Sequence, residues 1–425
     1  MKDEIERWVE SAVVVPVPEE TQVAITAGAK GEIDAITEAL TTSPIGDAIG
    51  YNEFESAPYV RGVLPWAEKA QVRPWIDLDD SCLIAYLQTN YCFKNERAMQ
   101  HALNIAFERN RFNPVIDMFD NLPDWDGTER AGHLLHWFLG AEDDAYTQEV
   151  ERLMFAGIIM RTYNPGTKFD YMPVIIGEQG CGKSTFAKML ALHDEFFTDC
   201  LTGIGTKEGA ELVQGKLIIE IAELDAIRGK ALETTKAFIS RTSDDYRTPY
   251  AKRPERHPRR FVLIGTTNTH CFLADPSGNR RFLPVKCSIY TPKLSLFDDS
   301  AKNVINQAWA EMLHFFRRSG SLPVILSSEG DAGALREQHE ATQDDPRIGM
   351  IREWLDNRAL DERVCVIQIC EDVLETPRGN RKQWLETEVS EIMRRHFPEW
   401  KRLEKKQRVA GYGTQRAYQR EIAEP

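Results

Sequence analysis

The run Gly177-Glu178-Gln179-Gly180-Cys181-Gly182-Lys183-Ser184 constrains this chain more than any other. It fits G-x-x-x-x-G-K-[ST] and stands between an apolar stretch, MPVII, and a helical one, FAKMLAL. A strand, a glycine-rich turn and a helix in that order aim backbone N–H groups at phosphate oxygens, and the helix N-terminus adds partial positive charge. Lys183 is then expected to meet the β- and γ-phosphates and the Ser184 hydroxyl to meet Mg²⁺, with Thr185 beside it at the helix start. The expected nucleotide-binding residues are 177 to 185, and the expected cofactors are ATP and Mg²⁺.

Such a loop needs a parallel sheet beneath it and carboxylates beside it. Short apolar runs at Met172 to Ile176, Lys216 to Ile221 and Phe261 to Thr266 read as buried parallel strands between helices, the pattern of an α/β sheet covered on both faces. The second run continues as Glu220-Ile-Ala-Glu223-Leu-Asp225. In an extended strand Glu220 and Glu223 face opposite sides, whereas a turn beginning near Ile221 brings them together. Glu220 is assigned to Mg²⁺ and Glu223 to polarising the attacking water, with the two roles open to exchange. The third run ends in Asn268, expected to sense the γ-phosphate and orient water. Beyond it, Asp275-Pro-Ser-Gly-Asn-Arg280-Arg281 places two guanidinium groups in a short loop. Arg280 or Arg281 is expected to reach a neighbouring subunit's γ-phosphate, an effect worth about 10³ to 10⁵ in rate in other NTPases.

Two basic segments point to nucleic acid. Residues 247 to 260 hold six Lys or Arg and one acid, with Tyr246 and Tyr250 nearby. Arg247, Tyr250, Lys252 and Arg253 are the expected contacts to single-stranded DNA, through phosphate neutralisation and base stacking. Residues 378 to 420 carry 12 Lys or Arg against five acids. There, a helix at Thr387 to Phe397 and a basic hairpin at Val409 to Arg420 together resemble a winged helix that meets duplex DNA; a basic face docked on the acidic body of the chain is the alternative.

The whole chain is otherwise acidic, with 52 Lys and Arg against 66 Asp and Glu, so its surface as a whole does not suit coating nucleic acid. The start, MKDEIERWVE, is acidic where a signal peptide is basic and then apolar, and no run of 18 apolar residues exists, so the expected location is cytoplasmic. Eight cysteines suit reduced thiols, and Cys365, Cys370 and His396 match no zinc spacing. The expected organisation is a helical N-terminal domain over 1–120, with Trp66 and Trp75 as packing residues. A helical neck over 121–170 then opens a long helix to Tyr163, a P-loop core spans 171–320, and a C-terminal helical or winged-helix-like DNA-binding region occupies 321–425. Within that last part Ser327 to Asp345 reads as a polar surface stretch.

The order GEQGCGKST, KLIIEIAELD, YRTPYAKR, FVLIGTTN, DPSGNRRFLPV between Gly177 and Val285 resembles the virulence-associated protein E family of phage and mobile-element proteins, whose ATPase core is similar to superfamily 3 helicases. LPDWDGTER and YNPGTKFDYMPVIIG extend the likeness, which covers roughly residues 50 to 420. The resemblance implies a compact AAA+-like ATPase in a homo-oligomeric ring, expected to be a hexamer. It gives Lys183 and Ser184 the Walker A role, Glu220 and Glu223 the Walker B region, Asn268 the sensor role and Arg280 or Arg281 the trans arginine, with 247 to 253 as a pore hairpin. Some relatives carry an upstream primase-polymerase domain, for which too little chain precedes the helical region here. The implied function is an ATP-dependent DNA helicase of phage or mobile-element replication. The alternative is an ATP-regulated DNA-binding initiator or regulator without strand separation. A small-molecule phosphotransferase would use the same loop but leaves both basic segments unexplained.

Overall fold

A computed structural model describes residues 31–224, 230–246, 255–270, 272–273, 279–342, 346–359, 361–376 and 383–420. The chain divides into two compact units, Met1–Phe272 with Pro276–Ala341, and Leu273–Asp275 with Thr342–Pro425.

The first unit begins with helices α1 (Glu32–Thr42) and α2 (Pro44–Ala48), strands β1 (Ile49–Asn52), β2 (Ala57–Val60) and β3 (Arg73–Pro74), helices α3 (Asp77–Tyr91) and α4 (Glu96–Arg109), and strand β4 (Arg111–Phe112). The helical reading of this stretch left out a four-stranded sheet of order β3-β2-β1-β4. Its strands are two to four residues long, too short for an alternating pattern to register. Ile36, Leu40, Leu83, Leu87, Met99 and Leu103 fill a core of their own. Trp66 and Trp75 meet edge to face at 6.2 Å beside it, and Trp66 donates its indole N–H to Asp79.

Next come α5 (Pro114–Asp120), α6 (Leu134–Leu139) and α7 (Ala145–Tyr163). The single long helix expected up to Tyr163 is two, because α6 stops at Gly140 in a left-handed conformation and Asp144 caps a fresh start by accepting from the Thr147 N–H. Two buried glutamates hold this neck. Glu151 of α7 accepts the Leu134 and Leu135 N–H groups at the start of α6, and Glu311 accepts those of Arg130 and Ala131.

The sheet that carries the glycine-rich loop follows. It is built from β5 (Met172–Ile176), helix α8 (Lys183–Leu190), β6 (Phe197–Thr198), α9 (Lys207–Leu212), β7 (Ile218–Ile221), α10 (Lys230–Ile239), an antiparallel pair β8 (Ser243–Tyr246) and β9 (Glu255–Pro258), then β10 (Val262–Thr267) and β11 (Phe282–Lys286). The five-stranded order is β11-β5-β10-β7-β6, every neighbour parallel. All residues of β5, β7 and β10 are buried, as strands covered on both faces must be. Helix α7, α8 and α11 (Asp299–Ser319) supply Phe155, Ile159, Phe186 and Trp309 to the core around Ile175, Ile218 and Ile264.

Residues 328–340, expected as a polar surface stretch, form helix α12 (Ser328–Glu340). Its buried residues are Gly330, Gly333, Ala334 and Gln338, so it packs by smallness and carries no apolar stripe. A Cβ on Gly333 would lie 2.8 Å from the Tyr146 side chain, and Gln338 donates to the Phe282 carbonyl.

The second unit contains α13 (Pro346–Asp356), β12 (Arg363–Cys365), α14 (Val366–Asp372), α15 (Gln383–His396), β13 (Trp400–Arg402), the hairpin β14 (Gln407–Val409) and β15 (Gly413–Gln415), and β16 (Ala417–Arg420). β16 lies between β12 and β13, antiparallel to both. Val389, Met393, Phe397, Trp400 and Tyr418 join the two layers in one core. No helix among the described residues is long and apolar enough to cross a membrane.

Candidate functional site

The carboxyl ends of β5, β7 and β10 converge, which is where open parallel sheets place their ligands. β5 runs into the loop 177–182, β7 into Ala222 and Glu223, and β10 into Asn268. Gly180 and Gly182 have φ of +85° and +96°, the turn geometry for which the sequence supplies glycine. A Cβ on Gly182 would also strike Leu296, 2.8 Å away. A cavity of about 790 Å³ opens here, lined by Gln179 to Thr185, Ala222, Glu223, Thr266 to Asn268, Phe138 and Pro292 to Asp298. Its volume falls in the range of small-molecule sites.

Lys183 is the first residue of α8 and 8% exposed. Its ammonium curls back into the loop, donating to the Gly177 carbonyl at 2.8 Å, the Glu178 carbonyl at 2.9 Å and Asn268 Oδ1 at 2.9 Å. Asn268, read from the sequence as a phosphate sensor, therefore stands beside the loop lysine. Ser184 Oγ donates to Glu220 Oε1 at 2.7 Å, and Thr266 Oγ1 donates to the same oxygen at 2.6 Å. Glu220 is 1% exposed and its other oxygen, Oε2, has no hydrogen-bond partner. It lies beneath the cavity floor, joined to it through two hydroxyl groups whose residues line the cavity.

Glu223 is exposed, lines the cavity and has φ of +52°. A non-glycine residue in the left-handed region carries strain, which gathers at functional positions. The strand ends at Ile221, so Glu223 lies beyond it, with Glu220 buried beneath the cavity floor and Glu223 exposed in the lining.

Arg280 and Arg281 are not part of this constellation. They precede β11, whose Phe282 pairs with Met172 and whose Lys286 pairs with Ile176, so they stand at the opposite edge of the sheet, about 16 Å away at 3.3 Å per residue. Arg280 is exposed, and Arg281 Nε donates to Ser240 Oγ at 2.6 Å. Arg247, Tyr250, Lys252 and Arg253 lie outside the described residues, in the segment joining β8 and β9.

The root of that hairpin corrects the basic segment read from the sequence. Arg259 is 2% exposed and forks onto both oxygens of Asp244 at 2.7 and 2.9 Å. It also donates to the Phe238 carbonyl, and burial lowers its pKa. It is a structural tie, with no charge to offer a polyanion. Arg260, half-buried, is likewise held down by desolvation.

The wall at Pro292 to Asp298 carries no motif. It is placed by hydrogen bonds between separated segments: Ser288 N–H to the Leu139 carbonyl, Tyr290 N–H to Gly140 and Leu294 N–H to Trp137.

Comparison with known proteins bears on the family. Two solved structures of the C-terminal region of NrS-1 (305-718) in the apo form are similar to this chain. One has 13% identity and a TM-score of 0.49, covering 92% of this chain and 100% of the other. The second has 13% identity and a TM-score of 0.47, with 91% and 98% covered. No curated protein matches. Residues 119–343, more than half of the sequence, match the virulence-associated protein E-like domain, narrower than the span of the resemblance but containing every element of the site, and the chain belongs to that family.

Proposed function

We propose that this protein is an ATP-hydrolysing DNA helicase of the superfamily 3 type, serving replication of a phage or mobile element from the cytoplasm. The observation that carries the reading is the Ser184–Glu220 pair under the glycine-rich loop, with one carboxylate oxygen engaged and the other without a partner. A buried acceptor left open costs free energy unless something fills it. Among the described residues no group of three His, Cys, Asp or Glu is gathered for a metal. One carboxylate with one hydroxyl suits Mg²⁺, which takes its remaining ligands from water and phosphate. Glu220 and Ser184 would hold the ion, which when bound supplies neutralisation of phosphate charge.

The chain's own groups do the rest. The N–H groups of 179 to 185 bind phosphate oxygens. Lys183 exchanges its loop carbonyls for the β- and γ-phosphates, which frees Asn268 to orient a water, and Glu223 polarises that water for attack. Arg280 or Arg281, at the far edge of the sheet, serves the site of a neighbouring copy, so hydrolysis occurs between subunits of a ring, a hexamer. Arg247, Tyr250, Lys252 and Arg253 contact single-stranded DNA in its pore. A helix, a strand, two helices and four strands, the middle two forming a hairpin, is the order of the second unit and supports a winged-helix reading. Lys405, Lys406, Arg408 and Arg416 are exposed around that hairpin and suit duplex phosphates.

The test is strand separation of forked DNA with ATP and Mg²⁺, beside ATPase activity with and without single-stranded DNA. Unwinding that Lys183→Ala abolishes, and ATPase activity stimulated by single-stranded DNA, is the expected result. DNA binding and remodelling that continue in Lys183→Ala, with no strand separation by the wild type, would replace the helicase with the regulator.

A further inference from the structure

The phosphate end of the cavity is defined by the loop, and the wall at Pro292 to Asp298 has no part in that chemistry. Within this wall Phe297 is 85% exposed and makes no ring contact with any other described residue. A lone exposed aromatic on a surface is ordinary. This one lines a cavity and is held there. Leu296 is buried against Gly182 of the loop, so the wall and the phosphate grip are in direct contact. The Phe297 N–H donates to Ser295 Oγ at 3.2 Å and the Asp298 N–H to the Ser295 carbonyl at 3.3 Å, a turn that presents the ring just ahead of α11. The Leu294 N–H donates to the Trp137 carbonyl at 2.9 Å and fixes the other end.

Resting on the nucleotide reading of the loop, we infer that Phe297 is the residue on which the nucleobase stacks. The rest of the lining is Phe138 and the strand ends at Ala222, Glu223 and Thr266 to Asn268, which face the phosphate chemistry, so for a nucleotide whose phosphates sit on residues 179 to 185 the exposed Phe297 ring of the 292–298 wall offers the base a π-face. Stacking of this kind tolerates every base, since each has such a face. The site therefore grips triphosphate through the loop and base through the wall, two separable contributions.

The separation gives the experiment. Binding of ATP and of inorganic tripolyphosphate, each with Mg²⁺, is measured calorimetrically for the wild type, Phe297→Ala and Phe297→Leu. Base–aromatic stacking predicts about tenfold weaker ATP binding in both variants, with tripolyphosphate unchanged within about twofold. In Phe297→Trp, ATP restores affinity and quenches the new indole, and tripolyphosphate does neither. Equal weakening of both ligands, or full ATP affinity in Phe297→Ala, overturns the inference and leaves the loop's function standing. Full ATP affinity with a smaller particle mass would reassign Phe297 to a contact between copies. A wild type that binds neither ligand removes the nucleotide reading itself.

Discussion

Glu151 and Glu220 are both buried carboxylates of the same compact unit, and their surroundings differ. Glu151 is fully buried and uses both oxygens on backbone donors, Oε1 on Leu134 at 2.8 Å and Oε2 on Leu135 at 3.0 Å. Those N–H groups open α6 and have no partner within their own helix. Glu220 receives two side-chain hydroxyls on Oε1 and nothing on Oε2. A carboxylate that serves architecture is saturated by groups that cannot leave. Under the proposed function, Glu220 keeps acceptor capacity in reserve for an ion and meanwhile takes two side-chain hydroxyls.

The sharpest way to break this contrast is to neutralise each acid. Glu220→Gln should lower ATP hydrolysis about 10³-fold through the lost metal contact, while its thermal midpoint stays level or rises. A large fall in stability would mean that Glu220 is structural after all. Glu151→Ala should do the reverse, costing about 3 kcal/mol in urea unfolding by orphaning two backbone donors. A cost near zero would show that water or another residue takes over the cap.

The next test uses acid. Burial raises the Glu151 carboxyl well above the ordinary range, with the Leu134 and Leu135 donors pulling the other way. Because its folded pKa exceeds the unfolded one, its stabilisation is present below the unfolded value and is lost as pH rises through the folded value. The stability advantage of wild type over Glu151→Gln should therefore be largest in acid and shrink toward neutrality, read as unfolding midpoints across that range. A constant difference would mean that the donors outweigh burial. The smallest effect is expected from Thr266→Val, which removes one of two donors to Glu220 and should cost about 1 kcal/mol of stability; no measurable change would leave Ser184 as the sole partner of consequence.

The sequence made the loop, its strand and its helix legible because their signals are local. Glycine at positive φ, a lysine at the helix start and an unbroken apolar strand lie within 20 residues of one another. β5, β7 and β10 begin and end within two residues of the runs read for them. The wall at 292–298 was invisible because hydrogen bonds to residues 137 to 140 position it, and no short pattern encodes such a contact. Helix α12 was missed because it buries glycine and alanine, and the N-terminal sheet because its strands are so short. Arg259 was misread for a different reason: its charge is plain in the sequence, but its partner, Asp244, sits 15 positions away on the other arm of the hairpin.

That buried pair gives the hairpin a stiff root. Arg259 lies over the Phe238 ring at 4.0 Å and within 5.0 Å of Phe261, so α10, β8 and the residue preceding β10 are riveted at one point. The fixed root is followed directly by β10, which carries Thr266, the residue bonded to Glu220, and ends at Thr267 next to Asn268, so the hairpin's anchor and the site's floor share one strand.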